Sequence, residues 1–201
     1  MSNFIFAPMP PTPAENSTWV EWNDGFTGEE LAAIEAYCDS ALTFAEGRIR
    51  GAPAEGDISH IRRTVVGRFG YGPDTAHFYD RMAVIVRNLN AQFYRFDLYG
   101  FIEEFQYAIY AAENGSHYDW HTDAAADTVA PRKLSVVLQL SDPEDYDGGD
   151  LELHGGGSPG AVNRKKGLIV AFPSFRLHRV TPVVRGIRKT LTIWVSGPAF
   201  R

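Results

Sequence analysis

His121 and Asp123 stand two residues apart in His121-Thr122-Asp123. In an extended chain that spacing turns an imidazole and a carboxylate to one face, where both can ligate one metal ion. A third ligand must come from a separate segment, and the remaining histidines offer His178, His154, His117, His77 and His60. His178 suits the role best, because Gly167 to Phe172 has the pattern of a buried strand that leads into a turn, after which the histidine opens a new strand. Two imidazoles and one carboxylate on one face of an octahedron leave three positions open. That donor set suits a redox metal such as Fe(II), which must also admit a co-substrate and O2.

Beyond His178 lies Arg188, followed by Lys189-Thr190-Leu191-Thr192-Ile193-Trp194. Period-2 alternation sets Arg188, Thr190, Thr192 and Trp194 on one face and Lys189, Leu191, Ile193 and Val195 on the other. The second face is ordinary core. The first is polar and aromatic, as expected of a barrel lumen that holds a dicarboxylate on the planar fork of Arg188. Trp120, Trp194, Tyr107, Tyr110 and Tyr118 are candidates for an aromatic lining, although core packing is the default role of each. Blander roles compete with this chemistry: His-x-Asp occurs by chance, Arg188 could be a rim charge, and His117 with His121 has the spacing of a helical metal pair. Gly115, between Asn114 and Ser116, argues for a turn there instead of a helix.

The elements that must position these residues follow from patterning. The chain has 201 residues, 44% of them apolar and 22% charged, the size and mixture of one domain with a substantial core. Pro8, Pro10, Pro11 and Pro13 make residues 1–16 an extended arm, and residues 17–201 are expected to form a single domain, with helical support over 27–95 and strands over 101–198. Thr27 and Glu30 form a capping box for a helix over 28–42, with apolar positions at Leu31, Ile34, Ala41 and Leu42. Pro73 and Asp74 open a second helix, whose stripe is Phe78, Met82, Ile85, Val86 and Leu89. Strands are expected near 101–111, 133–140, 150–154, 168–172, 177–184 and 188–196. Helices followed by short strands give an α+β fold, a sandwich or barrel with helices on one outer face. Two loops could choose a substrate: Ala124 to Pro131, a candidate lid, and Gly47 to Arg63 with its arginines Arg48, Arg50, Arg62 and Arg63. Those arginines suggest an acidic substrate; a solvated charged face accounts for them equally well.

Several classes can be set aside. Cys38 is the only cysteine, so no internal disulfide or cysteine-rich zinc site can form, which suits a reducing, cytoplasmic setting. No apolar run is long enough to span a membrane, and the first basic residue, Arg48, comes too late for a secretory leader. The net charge of −6 argues against nucleic acid. Gly155-Gly156-Gly157-Ser158-Pro159-Gly160 matches a dinucleotide fingerprint and a hydrolase elbow in letters alone, because both mechanisms need a helix to begin at the turn and none is expected here.

On Gln106, Tyr110, Tyr118 to Asp123, Arg132-Lys133-Leu134-Ser135, Gly148-Gly149-Asp150-Leu151, Phe172-Pro173-Ser174, His178 to Val183, Gly186, Arg188 and Trp194, the chain resembles the Fe(II)- and 2-oxoglutarate-dependent oxygenases of the prolyl 4-hydroxylase type, in particular the PKHD-type branch. The resemblance implies a double-stranded β-helix core, Fe(II) on His121, Asp123 and His178, and 2-oxoglutarate with its distal carboxylate on Arg188. It further implies co-substrate contacts from Tyr110, Tyr118, Thr190 and Trp194, ascorbate as an accessory reductant, and hydroxylation of a prolyl or other side chain of a protein or peptide, or of a free amino acid. Collagen-type enzymes usually carry Lys where this chain has Arg188, and the tyrosine expected nine or ten residues before the first histidine is replaced by Ala111 and Ala112. Asp123 departs from the halogenases of this group, which need a small residue there, and Trp194 stands where the DNA-repair relatives carry a second Arg. A different class also fits the triad, a cupin-like module that binds metal without redox turnover. Arg188 discriminates, since such a module would not need it. A zinc hydrolase lacks a His-Glu-x-x-His general base.

Overall fold

The computed structural model describes residues 18–49, 58–124 and 131–199. The expected arm over 1–16, most of the expected lid over 124–131, and residues 50–57 of the Arg48 loop, Arg50 among them, lie outside the described residues.

In chain order the elements are β1 (Val20–Trp22), α1 (Gly28–Ala41), β2 (Ala45–Glu46), β3 (Arg62–Arg63), β4 (Val65–Phe69), α2 (Ala76–Leu89) and a π-helical turn (Asn90–Tyr94). There follow β5 (Phe105–Ala111), a 3-10 turn (Ala112–Asn114), β6 (His117–His121), β7 (Arg132–Gln139), β8 (Tyr146–Gly148), β9 (Leu151–Leu153), β10 (Gly160–Ala161), β11 (Ile169–Pro173), β12 (His178–Val180) and β13 (Val183–Ser196). The strands form two sheets. The larger runs β1-β11-β7-β13-β5-β4-β2, with β8 attached to β13, and the smaller runs β10-β9-β12-β6-β3. All pairings are antiparallel.

Period-2 alternation divides the larger sheet between two cores. Leu134, Val136 and Leu138 of β7, Ile169 and Ala171 of β11, and Leu191, Ile193 and Val195 of β13 face α1 and α2. From the helices come Leu31, Ile34 and Cys38, and Phe78, Met82, Ile85, Val86 and Leu89. The opposite face turns Ala108, Tyr110, Val137, Val170 and Phe172 toward Leu151, Leu153 and Val180 of the smaller sheet. The helices therefore cover one outer face, and the space between the sheets is left for the site.

The capping box of α1 is present: Thr27 Oγ1 accepts from the Glu30 N–H, and Glu30 accepts from the Thr27 N–H, a pair that stabilises a helix start by about 1 kcal/mol. Cys38, not Ala41, completes the buried face of α1; Ala41 is exposed at the helix end. Helix α2 begins at Ala76, two residues later than Asp74 suggested, and the expected strand at 101–111 begins at Phe105. The strand expected over 177–184 is two elements. Pro182 has no N–H for a ladder, so β12 ends at Val180 and the chain restarts at Val183, making β13 longer than the 188–196 predicted. The region expected to give helical support also holds β2, β3 and β4, and the Gly155 to Pro159 stretch is a loop joining β9 to β10 with no helix after it.

Candidate functional site

The smaller sheet brings the triad together by pairing β6 with β12, so that His121 and His178 are direct cross-strand partners. Asp123 lies just past the end of β6, where its backbone N–H donates to the Ser174 carbonyl at 2.9 Å. The three side chains converge: His121 Nε2 is 3.9 Å from Asp123 Oδ1, and His178 Nε2 is 3.6 Å from Asp123 Oδ2. One ligand atom from each falls within 4.8 Å of the others, a spacing that one metal ion can bridge.

The tautomers are set by the backbone. His121 Nδ1 lies 2.7 Å from the Asp119 carbonyl and His178 Nδ1 lies 2.9 Å from the Arg176 carbonyl. A carbonyl can only accept, so Nδ1 carries the proton in each ring and Nε2 presents its lone pair to the centre. Burial, followed by the neighbouring His178, lowers His121 to about 4, which keeps it neutral and ready to ligate. Burial alone would raise the Asp123 carboxyl, but His178, His121, Arg132 and the Ser135 hydroxyl together hold it below its ordinary value. Ser135 Oγ donates to Asp123 Oδ2 at 2.7 Å, with Ser174 Oγ 3.0 Å beyond it.

A cavity of about 560 Å³ opens from the triad between the sheets. Arg188, Thr190, Thr192 and Trp194 line it, the face of β13 that alternation assigned to the lumen. Arg188 is 1% exposed, donates from Nη2 to Gln139 Oε1 at 3.0 Å and lies 5.3 Å from the Tyr110 ring centroid. Among the described residues its Nε has no acceptor, and no carboxylate lies within ion-pair distance of it. A buried cation in that condition is costly unless a ligand completes it. Gly149, at φ 64°, lets the chain pass close by; a Cβ there would sit 3.1 Å from Arg188 Cδ. Tyr118 stacks on His121, with centroids 3.4 Å apart and planes 12° from parallel.

Two of the expected aromatics are elsewhere. Tyr107 faces the helix-side core from β5, fully buried, and its hydroxyl donates to Asp39 of α1; Trp120 lies beside His154 and Arg179, away from the cavity. The other histidines also stay apart from the triad: His117 is held near the Gly115 and His60 carbonyls, His77 packs on Phe78, and His154 Nδ1 accepts from the Gly156 N–H. Motif spacing did not reveal the roles of Ser135, Gln139 and Arg132. Arg132 forks onto Glu103, packs over the Trp194 ring at 3.6 Å and reaches to 3.9 Å from Asp123. A signal for the first two was present, since Ser135 and Gln139 are polar at inward positions on either side of the apolar run Val136-Val137-Leu138.

Residues 105–196 match the 2OG-Fe(II) oxygenase superfamily model. A PKHD-type hydroxylase of Teredinibacter turnerae is 44% identical over 90 residues, covering 42% of this chain and 39% of that protein. The PKHD-type hydroxylase YbiX of Escherichia coli is 38% identical over 90 residues, covering 42% and 40%. The aligned stretch thus spans about two fifths of the length of these curated relatives. A prolyl-4-hydroxylase of Pseudomonas putida superposes with a TM-score of 0.69 at 24% identity, covering 90% of this chain and 94% of that one. A prolyl hydroxylase of Trichoplax adhaerens, solved with a hypoxia inducible factor peptide fragment, gives 0.71 at 15% identity, covering 90% and 84%. At these identities the likeness establishes the fold, a double-stranded β-helix with helices on one sheet.

Proposed function

From the match of residues 105–196 to the 2OG-Fe(II) oxygenase superfamily, we propose that this protein is an Fe(II)- and 2-oxoglutarate-dependent dioxygenase that hydroxylates an unactivated carbon. His121 Nε2, Asp123 and His178 Nε2 hold the metal, and Arg188 holds the distal carboxylate of 2-oxoglutarate, with Tyr110, Tyr118, Thr190 and Trp194 around it. The observation that carries this reading is Arg188: a buried guanidinium with an unused N–H, in the same cavity as the triad and without a protein carboxylate among the described residues. The donor set fits Fe(II), and the orphaned Nε fits an oxyanion. When bound, Fe(II), 2-oxoglutarate and O2 supply the oxidising chemistry, in which the co-substrate ends as succinate and carbon dioxide.

The chain's own residues do the rest. The two backbone carbonyls fix the imidazole tautomers, Ser135 aims the Asp123 carboxylate, and Val137, Leu151 and Trp194 give the cavity apolar walls that limit water. A side chain of a protein or peptide, prolyl or other, is the substrate the fold neighbours favour, with a free amino acid as the alternative. Ascorbate belongs to the same proposal as the reductant that keeps the metal ferrous. We also place residues 17–201 in one domain, and the protein in the cytoplasm. Supporting that setting, the Cys38 thiol is buried and unpaired, and burial, then Asp39, pushes it up to about 12.

The test is an anaerobic titration of metal-free protein with Fe(II) and 2-oxoglutarate, followed by visible absorption. Chelation of the keto acid gives a weak charge-transfer band, expected in wild type and absent in Asp123→Ala. A wild type that binds metal but never develops the band would transfer the assignment to a cupin-like module without redox turnover.

A further inference from the structure

Arg62 and Arg68 line the same cavity, and neither has a carboxylate within ion-pair distance among the described residues. Arg62 is 6% exposed, so it is not part of a solvated charged face. Its guanidinium is held in place: Nε donates to Thr64 Oγ1 at 2.9 Å, Nη1 donates to the Arg48 carbonyl at 2.7 Å, and Cζ lies 4.5 Å from the centroid of Tyr118. Tyr118 in turn stacks on His121, so His121, Tyr118 and Arg62 form one column that begins at the triad. Gly47 makes room for it, because a Cβ there would meet Thr64 Oγ1 at 2.2 Å and Arg62 Nε at 2.7 Å. Arg68, on the inward face of β4, donates from Nη2 to Gln106 Oε1 at 2.8 Å. Five N–H donors on each guanidinium leave several without a protein acceptor.

Like charges crowd this wall. Burial first, then Arg62 and Arg132, lower the Arg68 guanidinium from its ordinary value. Arg132 is satisfied by Glu103, and Asp123 belongs to the triad. In the reading proposed above, the charges of the metal, Asp123, the 2-oxoglutarate dianion and Arg188 cancel among themselves; Glu103 and Glu104 favour the Arg68 charge only from beyond ion-pair distance, so neither Arg62 nor Arg68 has a paired carboxylate among the described residues. Arg68 is exposed at the mouth of the cavity, whereas Arg62 is held and nearly buried; such a guanidinium beside a reaction centre suits a ligand carboxylate, which it can take bidentately.

We infer that Arg62 and Arg68 form a second anion site, which receives a carboxylate of the substrate itself and seats the carbon to be oxidised toward the triad. The inference rests on the oxygenase reading and narrows it: the substrate is acidic, either a small carboxylic acid or a peptide with Asp or Glu beside the modified residue.

The test uses full-length protein loaded with Zn(II) and 2-oxoglutarate, which fills the metal and co-substrate positions without turnover. Calorimetric titration compares N-acetyl-L-aspartate and an Asp-Pro hexapeptide capped at both ends with their uncharged amide counterparts, N-acetyl-L-asparagine amide and the capped Asn-Pro hexapeptide. At least one acid is expected to bind tenfold or more tightly than its amide, to weaken as salt rises, and to lose about tenfold in Arg68→Gln. Arg62→Gln should behave alike; because Arg62 is buried, Arg68→Gln keeps the test decisive if that variant folds poorly. A tighter peptide assigns the carboxylate to a polypeptide, and a tighter N-acetyl-L-aspartate assigns it to a small acid. Equal binding of acid and amide, an acid that merely displaces 2-oxoglutarate, or an unchanged Arg68→Gln would overturn the inference while the oxygenase reading stands. Failure of 2-oxoglutarate to bind the Zn(II) protein would instead remove the oxygenase reading, and this inference with it.

Discussion

Ser135→Ala probes how the triad is held. Ser135 is fully buried on β7, opposite Trp194 on one neighbouring strand and Phe172 on the other. Its hydroxyl donates to Asp123 Oδ2 at 2.7 Å, whereas among the described residues the other carboxylate oxygen has looser neighbours, His121 Nε2 and Arg132 Nη1, each at 3.9 Å. Alanine removes one oxygen atom and leaves almost no cavity, so the change isolates the hydrogen bond. A bond to a charged acceptor contributes about 1.5–3 kcal/mol, which converts to roughly 10- to 100-fold in metal affinity. The same range, about 10- to 100-fold, is the usual cost of losing a partner behind a metal ligand. Ser174 Oγ, 3.0 Å from the Ser135 oxygen, is the natural substitute donor, so Ser135→Ala with Ser174→Ala should fall at the upper end. Competition against a chromophoric chelator, under anaerobic conditions with Fe(II), reads the affinity, and a thermal melt of the metal-free proteins checks folding. If the double variant binds Fe(II) within twofold of wild type while Asp123→Ala does not bind it, Ser135 has no part in holding the ligand. If Asp123→Ala also binds normally, the triad is not the metal site.

Further outcomes follow from the same geometry. Arg188→Lys keeps a charge but loses the planar fork, and should weaken 2-oxoglutarate binding by about tenfold to a hundredfold while leaving Fe(II) affinity near wild type; the anaerobic band measures the first and chelator competition the second. Gly149→Ala forces a side chain onto φ 64° and brings a Cβ to 3.1 Å from Arg188 Cδ. It should cost about 1–2 kcal/mol of stability and weaken 2-oxoglutarate severalfold, seen by denaturant titration and by the same band. Metal-free protein should lose stability in mild acid. Folded His121 titrates at about 4 against 6.5 unfolded, so it favours the native state fully above pH 6.5 and progressively less as pH falls toward 4, by about 3 kcal/mol in all. A melting temperature flat across that window, or an acid-induced fall that is the same in wild type and His121→Ala, would contradict the assignment.

The legible parts of the sequence were those where one local rule acted alone. Thr27 and Glu30 announced α1, the stripe from Phe78 to Leu89 announced α2, and the alternation through Arg188 and Trp194 separated lumen from core on β13. Illegible parts had faces set by distant partners. In β6, His117 to His121 is polar or aromatic at every position, so no period showed, and it is a strand only because β3 and β12 pair with it. In β4, Gly67 and the inward Arg68 break the apolar pattern. Tyr107 kept its default role in the core, and the lining role offered beside it did not hold, because an aromatic on a sheet covered on both sides carries no mark of which side it faces.

The cross-strand pairing of His121 with His178 also governs when the site can exist. The two histidines belong to segments distant in the chain, and Asp123 is tied to the loop before β12 through the Ser174 carbonyl. Pairing at such sequence separation comes late in folding, since its loop-closure entropy must be met before any contact rewards it. A nascent or half-folded chain therefore presents only His121 and Asp123, too few donors to capture a metal tightly. Loading waits for the native ladder, and bound metal then deepens the native well without trapping intermediates on the way to it.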